Sequence, residues 1–505
     1  MITFASLKTA AALPEICLAA ATCAILLVGV YRRQRNDERG DQRANAPGHA
    51  LGIAALLLTA LLLIATFGAD TTRAFNNLFI NDPMSRLLKI AVCLLSAGAF
   101  AYGRRYNQDR GIFTNEYYVL GLFAVVGMMV MISANHLLTL YLGLELMSLC
   151  LYAMIAYYRD DRLAAEAAMK YFILGALASS MLLYGMSLLY GLSGSLELSA
   201  IAAAVGAERD SPAVALAVVF VVAAAAFKLG AVPFHMWVPD VYHGAPTSTT
   251  AFIGAAPKVA AFALMMRLLV GGLDDLFGMW QQMLLLLAIL SVACGNIIAI
   301  AQSNLKRMLA YSSISHIGFF LFAMAAGGAG GYSAALFYVL IYAVMSLGAF
   351  GAILCLAERA HESDRLEDLK GLSARRPWSA LALLILMLSM AGIPPTAGFF
   401  AKLAVIQSLI DAGLAWAAVI AVLLAVIGAF YYLRVIKLMY FDSPDDDAAQ
   451  DDRATQDDAV AARGWVAALD ARLLLSLNAL AIIAILPWIN GLIALCGEVI
   501  RRFAV

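Results

Sequence analysis

Hydrophobic residues in this chain come in long blocks, not in the alternation of a half-exposed strand or the three-and-four spacing of a surface helix. A helix needs about 20 apolar residues to cross the hydrocarbon core of a bilayer. Blocks of that length recur along the chain and predict an all-α polytopic membrane protein with about fourteen transmembrane helices. The expected spans are 13–31, 50–69, 86–103, 117–135, 137–158, 167–192, 213–232, 247–270, 280–302, 307–326, 332–357, 377–400, 403–441 and 471–497. The stretch 377–441 is the hardest to divide. Only Asp411-Ala-Gly separates its helices, and prolines interrupt the first.

Basic residues between the blocks set an orientation. Arg32, Arg33, Arg35, Arg39 and Arg43 follow the first run, and Arg104, Arg105 and Arg110 follow the third. Arg159 and Arg162 follow the fifth, Lys306 and Arg307 the ninth, and Arg365, Lys370, Arg375 and Arg376 the eleventh. Even-numbered connections are poor in Lys and Arg. By the positive-inside rule the odd loops are cytoplasmic and both termini are periplasmic. The loop after the seventh run has no Lys or Arg, and the last cytoplasmic loop is acidic, from Asp445 through Asp458. Acidic residues count little in the rule. That loop reads as a solvated, mobile segment. The first run continues to Arg32-Arg33 without a basic leader or a small-residue cleavage site, which reads as a retained helix.

A faint repeat runs through the blocks. Gly230-Ala-Val-Pro-Phe in the seventh run resembles Gly392-Ile-Pro-Pro in the twelfth. A shift of five helices inverts the second copy relative to the membrane, and inverted repeats with one broken helix each are a transporter signature. A likeness between the strings at Lys170 and Lys306 implies a shift of four and does not fit. The expected organisation is helices one to three in 1–116, a first five-helix repeat in 117–270 and an inverted second in 271–441. An acidic cytoplasmic loop at 442–470 and a last helix in 471–505 complete it.

Composition agrees with a membrane setting. Hydrophobic residues make up 63% and charged residues 13%, against roughly 25% charged in soluble domains. The formal net charge is zero, so nothing points to nucleic acid. The seven cysteines are scattered, with no CxxC and no Cys/His cluster, and read as small core residues.

Against this background the informative residues are charged. Lys170, Lys228, Lys258 and Lys402 stand inside membrane-length runs, with Glu145 among them. A lysine at the bilayer centre costs at least about 2.5–3.5 kcal/mol, and intramembrane ionisable groups default to function. Glu145 cannot stay charged there alone; the bland alternative is a structural ion pair, and Lys228 is its natural partner. Lys228 sits five residues before Pro233, which withdraws the N–H that the Leu229 carbonyl would use. The helix should therefore break beside Lys228 and be hydrated there. Lys258, on the next run, would take a proton laterally from Lys228. In the second half Pro394 and Pro395 leave the Met390 and Ala391 carbonyls without their helical donors. A hydrated break with Lys402 in reach is expected. Lysine suits proton exchange because its pKa moves readily on burial, whereas arginine stays charged. Lys170 has Glu166 one turn earlier and lies near the cytoplasmic end of its run, so it is either a relay member or a snorkelling side chain.

Among the histidines His49, His136, His235, His243, His316 and His361 there is no zinc spacing. His235 and His243 flank Pro239-Asp240 and read as loop packing. His316, in Ser312-Ser-Ile-Ser-His, is either a relay group or a satisfied core histidine among hydroxyls. No phosphate loop, dinucleotide fingerprint, nucleophile elbow or facing haem-type histidine pair is present, so the chain shows no sign of redox chemistry of its own.

The segment Phe227-Lys-Leu-Gly-Ala-Val-Pro-Phe-His-Met-Trp-Val-Pro-Asp-Val-Tyr-His-Gly-Ala-Pro resembles the seventh-helix signature of the antiporter-like subunits of respiratory complex I, the NADH–quinone oxidoreductase. Gly143-Leu-Glu-Leu, Asn304-Leu-Lys-Arg-Met-Leu-Ala-Tyr-Ser-Ser-Ile-Ser-His-Ile-Gly and Ala391-Gly-Ile-Pro-Pro-Thr-Ala-Gly-Phe-Phe-Ala-Lys match too. The likeness covers nearly the whole chain and is weakest before Tyr117 and in the acidic loop. The N-type branch is the most similar. The segment from Val241 to Pro246 has its form, and Lys258 stands where L- and M-type relatives usually carry histidine. Lys402 replaces the M-type glutamate, and the long C-terminal lateral helix of the L-type is missing.

The resemblance implies a proton-translocating subunit of a bacterial inner-membrane complex. Glu145 and Lys228 would be its coupling pair, Lys258 the connecting lysine and Lys402 the terminal lysine. It implies no cofactor in this chain; FMN, iron–sulfur clusters and quinone are expected in partner subunits, with K-type and M-type membrane neighbours. A subunit of a multisubunit cation/proton antiporter, to which this family is related, is the alternative. A purely structural membrane spacer is a third possibility.

Overall fold

A computed structural model describes residues 7–39, 47–357, 362, 364–443 and 469–503. His361 and most of the acidic loop, 444–468, lie outside the described residues. The membrane-length blocks are helices: α1 (Leu13–Arg39), α2 (Pro47–Ala65), α3 (Pro83–Asp109), α4 (Asn115–Ile132), α5 (Leu137–Ile155) and α6 (Arg162–Ser193). A short α7 (Leu198–Ala207) precedes α8 (Pro212–Leu229), and α9 (Trp237–Gly244) follows it. The eighth block is α10 (Thr247–Ile253) and α11 (Ala256–Met265), closed by a π-turn over Met266–Val270. Then come α12 (Phe277–Ile300), α13 (Leu305–Ala326), α14 (Gly328–Leu356) and a single turn, α15 (Leu372–Arg375). The last are α16 (Pro377–Ala391), α17 (Ala397–Asp411), α18 (Ala415–Tyr440), α19 (Leu469–Ala484) and α20 (Ile489–Phe503).

By length and apolarity 12 of the described helices can cross a membrane, or 13 if the pair α19–α20, bent by 45°, is one span. The expected division of 377–441 is corrected. The chain breaks at 392–396 and again at 412–414, so Lys402 lies within α17 and α18 is a separate span. The Asp411-Ala-Gly separator is where the chain turns, Gly413 standing at φ +76°; the expected bounds at 400–403 fell inside α17 because the apolar run continues through it. The protein is also not wholly helical: Thr72–Ala74 (β1) and Phe79–Asn81 (β2) pair as an antiparallel hairpin, Arg73 opposite Ile80.

Local chemistry fixes the ends. Asp82 and Ser85 form a reciprocal capping box before α3, with Pro83 in its first turn. The Asn304 side chain accepts from Arg307 N at 3.1 Å and starts α13. Packing is tightest where glycines let backbones meet. A Cβ on Gly143 of α5 would lie 2.8 Å from Gly127 O of α4, and one on Gly318 of α13 would lie 2.8 Å from Ala288 O of α12. Such close approach is how helices associate without a hydrophobic drive between them. The spans carrying α10–α11 and α13 are each 94% buried. They form the centre of the bundle, and they carry Lys258 and His316.

Candidate functional site

Two broken helices organise the interior. α8 stops at Leu229 because Gly230 turns left-handed at φ +83°, and α16 stops at Ala391 because Gly392 does the same at φ +82°. The N–H groups of Gly230 and Ala231 return to Ala226 O, and those of Gly392 and Ile393 to Leu388 O. Pro233 has no N–H for Leu229 O, nor do Pro394 and Pro395 for Met390 and Ala391. Lysines take those acceptors. Lys258 Nζ donates to Leu229 O at 2.6 Å. Lys402 Nζ donates to Met390 O at 3.0 Å and Ala391 O at 2.8 Å. Each ammonium also faces a ring, Lys258 over Trp237 at 5.4 Å and Lys402 over Phe319 at 5.2 Å.

These contacts correct two expectations. Lys228 was expected beside the first break; instead Lys258, from the next span, caps it, while Lys402 reaches the carbonyls of the second. Lys228 turns away and donates to Ser148 Oγ at 3.0 Å. A direct Glu145–Lys228 pair is also not formed. Glu145 accepts a hydrogen bond from Ser179 of α6, and Ser148, one turn along α5 from Glu145, stands in its place beside Lys228. Lys228 and Lys258 line one cavity with Met131, Tyr171 and Trp237, whose free volume of about 10 Å³ is room for roughly one water.

In the second half, His316 is held through both ring nitrogens, Nδ1 to Tyr338 Oη at 2.7 Å and Nε2 to Tyr432 Oη at 3.1 Å. The hydroxyls around it are these tyrosines, not the serines of its own helix, although Ser312 bonds Tyr432. His316 and Lys402 line the same closely packed space. Lys228, Lys258 and His316 are buried, and Glu145 and Lys402 are half-buried. Lys170 stands apart. Its side chain is 45% exposed and bonds Glu166 at 2.9 Å and Asp240 at 2.7 Å. Asp240 also accepts from Arg307 at 3.1 Å. Burial raises the Asp240 carboxyl, and the hydrogen bonds from Lys170 and Arg307 outweigh it and hold it below the usual range.

Three ion pairs escaped the sequence reading: the buried Lys89–Glu15 and Arg267–Asp82 at 2.8 Å, and Lys306 with the half-buried Glu362 at 3.2 Å. Lys89 and Arg267 lie inside expected spans, so the test that singled out the other lysines could have found them. Glu362, from a connecting loop, left no such signal. Among the described residues no group of three or more His, Cys, Asp or Glu side chains could hold a metal ion.

A family model described as the transmembrane part of NADH:quinone oxidoreductase and Mrp antiporter subunits matches residues 134–428. The NADH-quinone oxidoreductase subunit N of Thiobacillus denitrificans is 52% identical over 498 residues, which is 98% of either chain. Among solved structures, a chain of respiratory complex I from Thermus thermophilus superposes with a TM-score of 0.76 at 30% identity, over 95% of this chain and 98% of that one. A chain of an Mrp complex from a Dietzia species gives 0.82 at 21% identity over 98% of each, a likeness of fold.

Proposed function

The chain belongs to the NADH:quinone oxidoreductase/Mrp antiporter transmembrane family, and from that premise we propose that protons cross it through Glu145, Lys228, Lys258, His316 and Lys402. It is a proton-translocating membrane subunit of complex I type, multi-pass in the bacterial inner membrane, and does no redox chemistry itself. It works in association with other membrane subunits. K-type and M-type chains are the proposed neighbours, with FMN, iron–sulfur clusters and quinone in partner subunits.

One observation carries the reading: at each of the two breaks a lysine takes the freed carbonyls, Lys258 from the next span and Lys402 from the second half of its own broken helix. A charged lysine donates three hydrogen bonds, and a neutral amine still donates with its remaining hydrogens. The carbonyls at each break thus keep a partner whether or not the proton is present. Lys228 plays a different part. It stands between the cavity it shares with Lys258 and the Ser148–Glu145 side of α5, where a change in distance to the carboxylate would load or release its proton.

The same twin breaks, and glycine contacts that recur between α4–α5 and α12–α13, support two inverted five-helix repeats over 117–270 and 271–441. The broken pair α16–α17 would be the fourteenth span, its halves of 15 residues each being too short alone. The arginine and lysine pattern supports periplasmic termini. Lys170 is proposed as a surface partner of Asp240 rather than a relay member. Replacing Lys258 with methionine tests the reading. In an assembled complex, proton translocation per NADH oxidised should fall; unchanged pumping would remove Lys258 from the path.

A further inference from the structure

The proposed path from Glu145 to Lys402 needs a source of protons in cytoplasmic water. α10 opens with four consecutive hydroxyl residues, Thr247, Ser248, Thr249 and Thr250, all 3% exposed or less. Each is hydrogen-bonded. Thr247 Oγ1 donates to Glu362 Oε2 at 3.2 Å, and Ser248 Oγ to Asn107 Oδ1 at 2.6 Å. Tyr117 Oη joins Ser248 at 3.2 Å to Thr249 at 3.0 Å, and Thr250 Oγ1 donates to Tyr242 O at 3.1 Å.

At the outer end Glu362 is half-buried. It accepts from Tyr106 and from Lys306 and faces Arg110 at 3.7 Å. Burial raises its carboxyl, but Lys306, Tyr106 and Arg110 together hold it below the usual range. At the inner end, the buried hydroxyls of Tyr242, Ser313 and Ser346 lie together, Ser313 facing Tyr242 and both serines facing Tyr342, without close hydrogen-bond geometry. Ser346 flanks the joint between α10 and α11, since a Cβ on Gly254 would lie 2.8 Å from its Oγ. That joint is four residues before Lys258. Each buried hydroxyl left unpaired costs about 1–3 kcal/mol, and ordered water is the ordinary remedy.

We propose that Glu362, the Thr247–Thr250 ladder and a hydrated Tyr242–Ser313–Ser346 cluster form the cytoplasmic proton entry to Lys258. The proposal rests on the reading of Lys258 as a relay group and on the orientation above. The transfer changes only O–H and N–H bonds. A hydronium at the mouth releases its proton to Glu362 or Thr247. Each hydroxyl accepts a proton on a lone pair and gives its own to the next; water must bridge Thr247 to Ser248, and Thr249 to the Tyr242–Ser313–Ser346 cluster, where no direct hydrogen bond joins them, and the last proton is taken up by the neutral Lys258 amine. One proton leaves cytoplasmic water and one arrives at Nζ.

Thr249→Val keeps the side-chain volume and removes the hydroxyl, and Ser248→Ala removes the other bridge to Tyr117. In membranes carrying the assembled complex, the double variant should slow NADH-driven proton uptake from the cytoplasmic side by roughly tenfold or more, below the full contribution of a positioned proton-transfer group. Thr249→Ser, which retains the hydroxyl, should restore it; a purely steric role predicts no such rescue. If the double variant does not assemble, Thr249→Val alone carries the test. Native uptake without these hydroxyls overturns the entry. Lys258→Met, run alongside, separates the two readings. If it abolishes pumping while the hydroxyl variants pump normally, only the entry falls; if it pumps normally, the relay and its entry fall together.

Discussion

A primary amine at a helix break has a property that no other side chain combines: it caps carbonyls in both protonation states and can still exchange its proton. Gly392 makes room for this at Lys402. A Cβ there would lie 2.8 Å from Lys402 Cδ, and an L-residue at φ +82° costs about 1–2 kcal/mol. Gly392→Ala is therefore expected to displace the lysine from Met390 O and Ala391 O and to lower pumping per NADH, with part of the complex still assembled. Native pumping in that variant would mean that the amine position is not critical. Glu145→Gln keeps an acceptor for Ser179 and removes the carboxylate one turn of α5 from Ser148, the hydroxyl bonded to Lys228. Its expected outcome is reduced proton translocation with normal assembly. If pumping were unchanged, the carboxylate would be structural.

At the scale of elements, how much was legible depends on whether a cause is local. Proline removes a backbone N–H wherever it stands, so the freed carbonyls of Leu229, Met390 and Ala391 could be named from the sequence. What satisfies them could not. Lys228 is adjacent in sequence to Leu229, yet the donor is Lys258, brought from 29 residues away by the fold. The Glu145–Lys228 pair failed as a direct contact for a related reason: Ser148, one turn from the glutamate, projects to where the carboxylate was expected. The breaks at Gly230 and Gly392 and the Asp411-Ala-Gly separator were readable, whereas the bounds at 400–403 fell inside α17 because the apolar run continues through it.

The pair Glu15–Lys89 is an element-scale feature that joins α1 to α3 at side-chain exposures of 7% and 1%. Removing one partner of a buried pair strands the other charge and typically costs about 3–5 kcal/mol, while replacing both is often neutral. Lys89→Met should lower the amount of assembled complex in the membrane, and Glu15→Gln combined with Lys89→Met should recover much of it. Equal assembly of the single and double variants would argue against a role in holding α1 to α3.

For the whole molecule, the polar groups sort by depth in a consistent way. In the proposed orientation, Asp240–Arg307–Lys170 and Glu362–Lys306–Arg110 gather at the cytoplasmic ends of the helices, Asp82–Arg267 at the periplasmic ends, and the lysine line between them. A reporter fused after Val505 should be active only on the periplasmic side; cytoplasmic activity would invert the assignment. The central claim is that protons pass through the buried lysines rather than past them. Lys402→Arg tests it most directly, because arginine keeps the charge and donors for Met390 O and Ala391 O but does not release its proton. The measurement is proton translocation per NADH oxidised in membranes containing the assembled variant complex. The account predicts a clear loss of pumping with assembly intact. Pumping at the native level would contradict it and leave Lys402 as a fixed charge that holds a broken helix together.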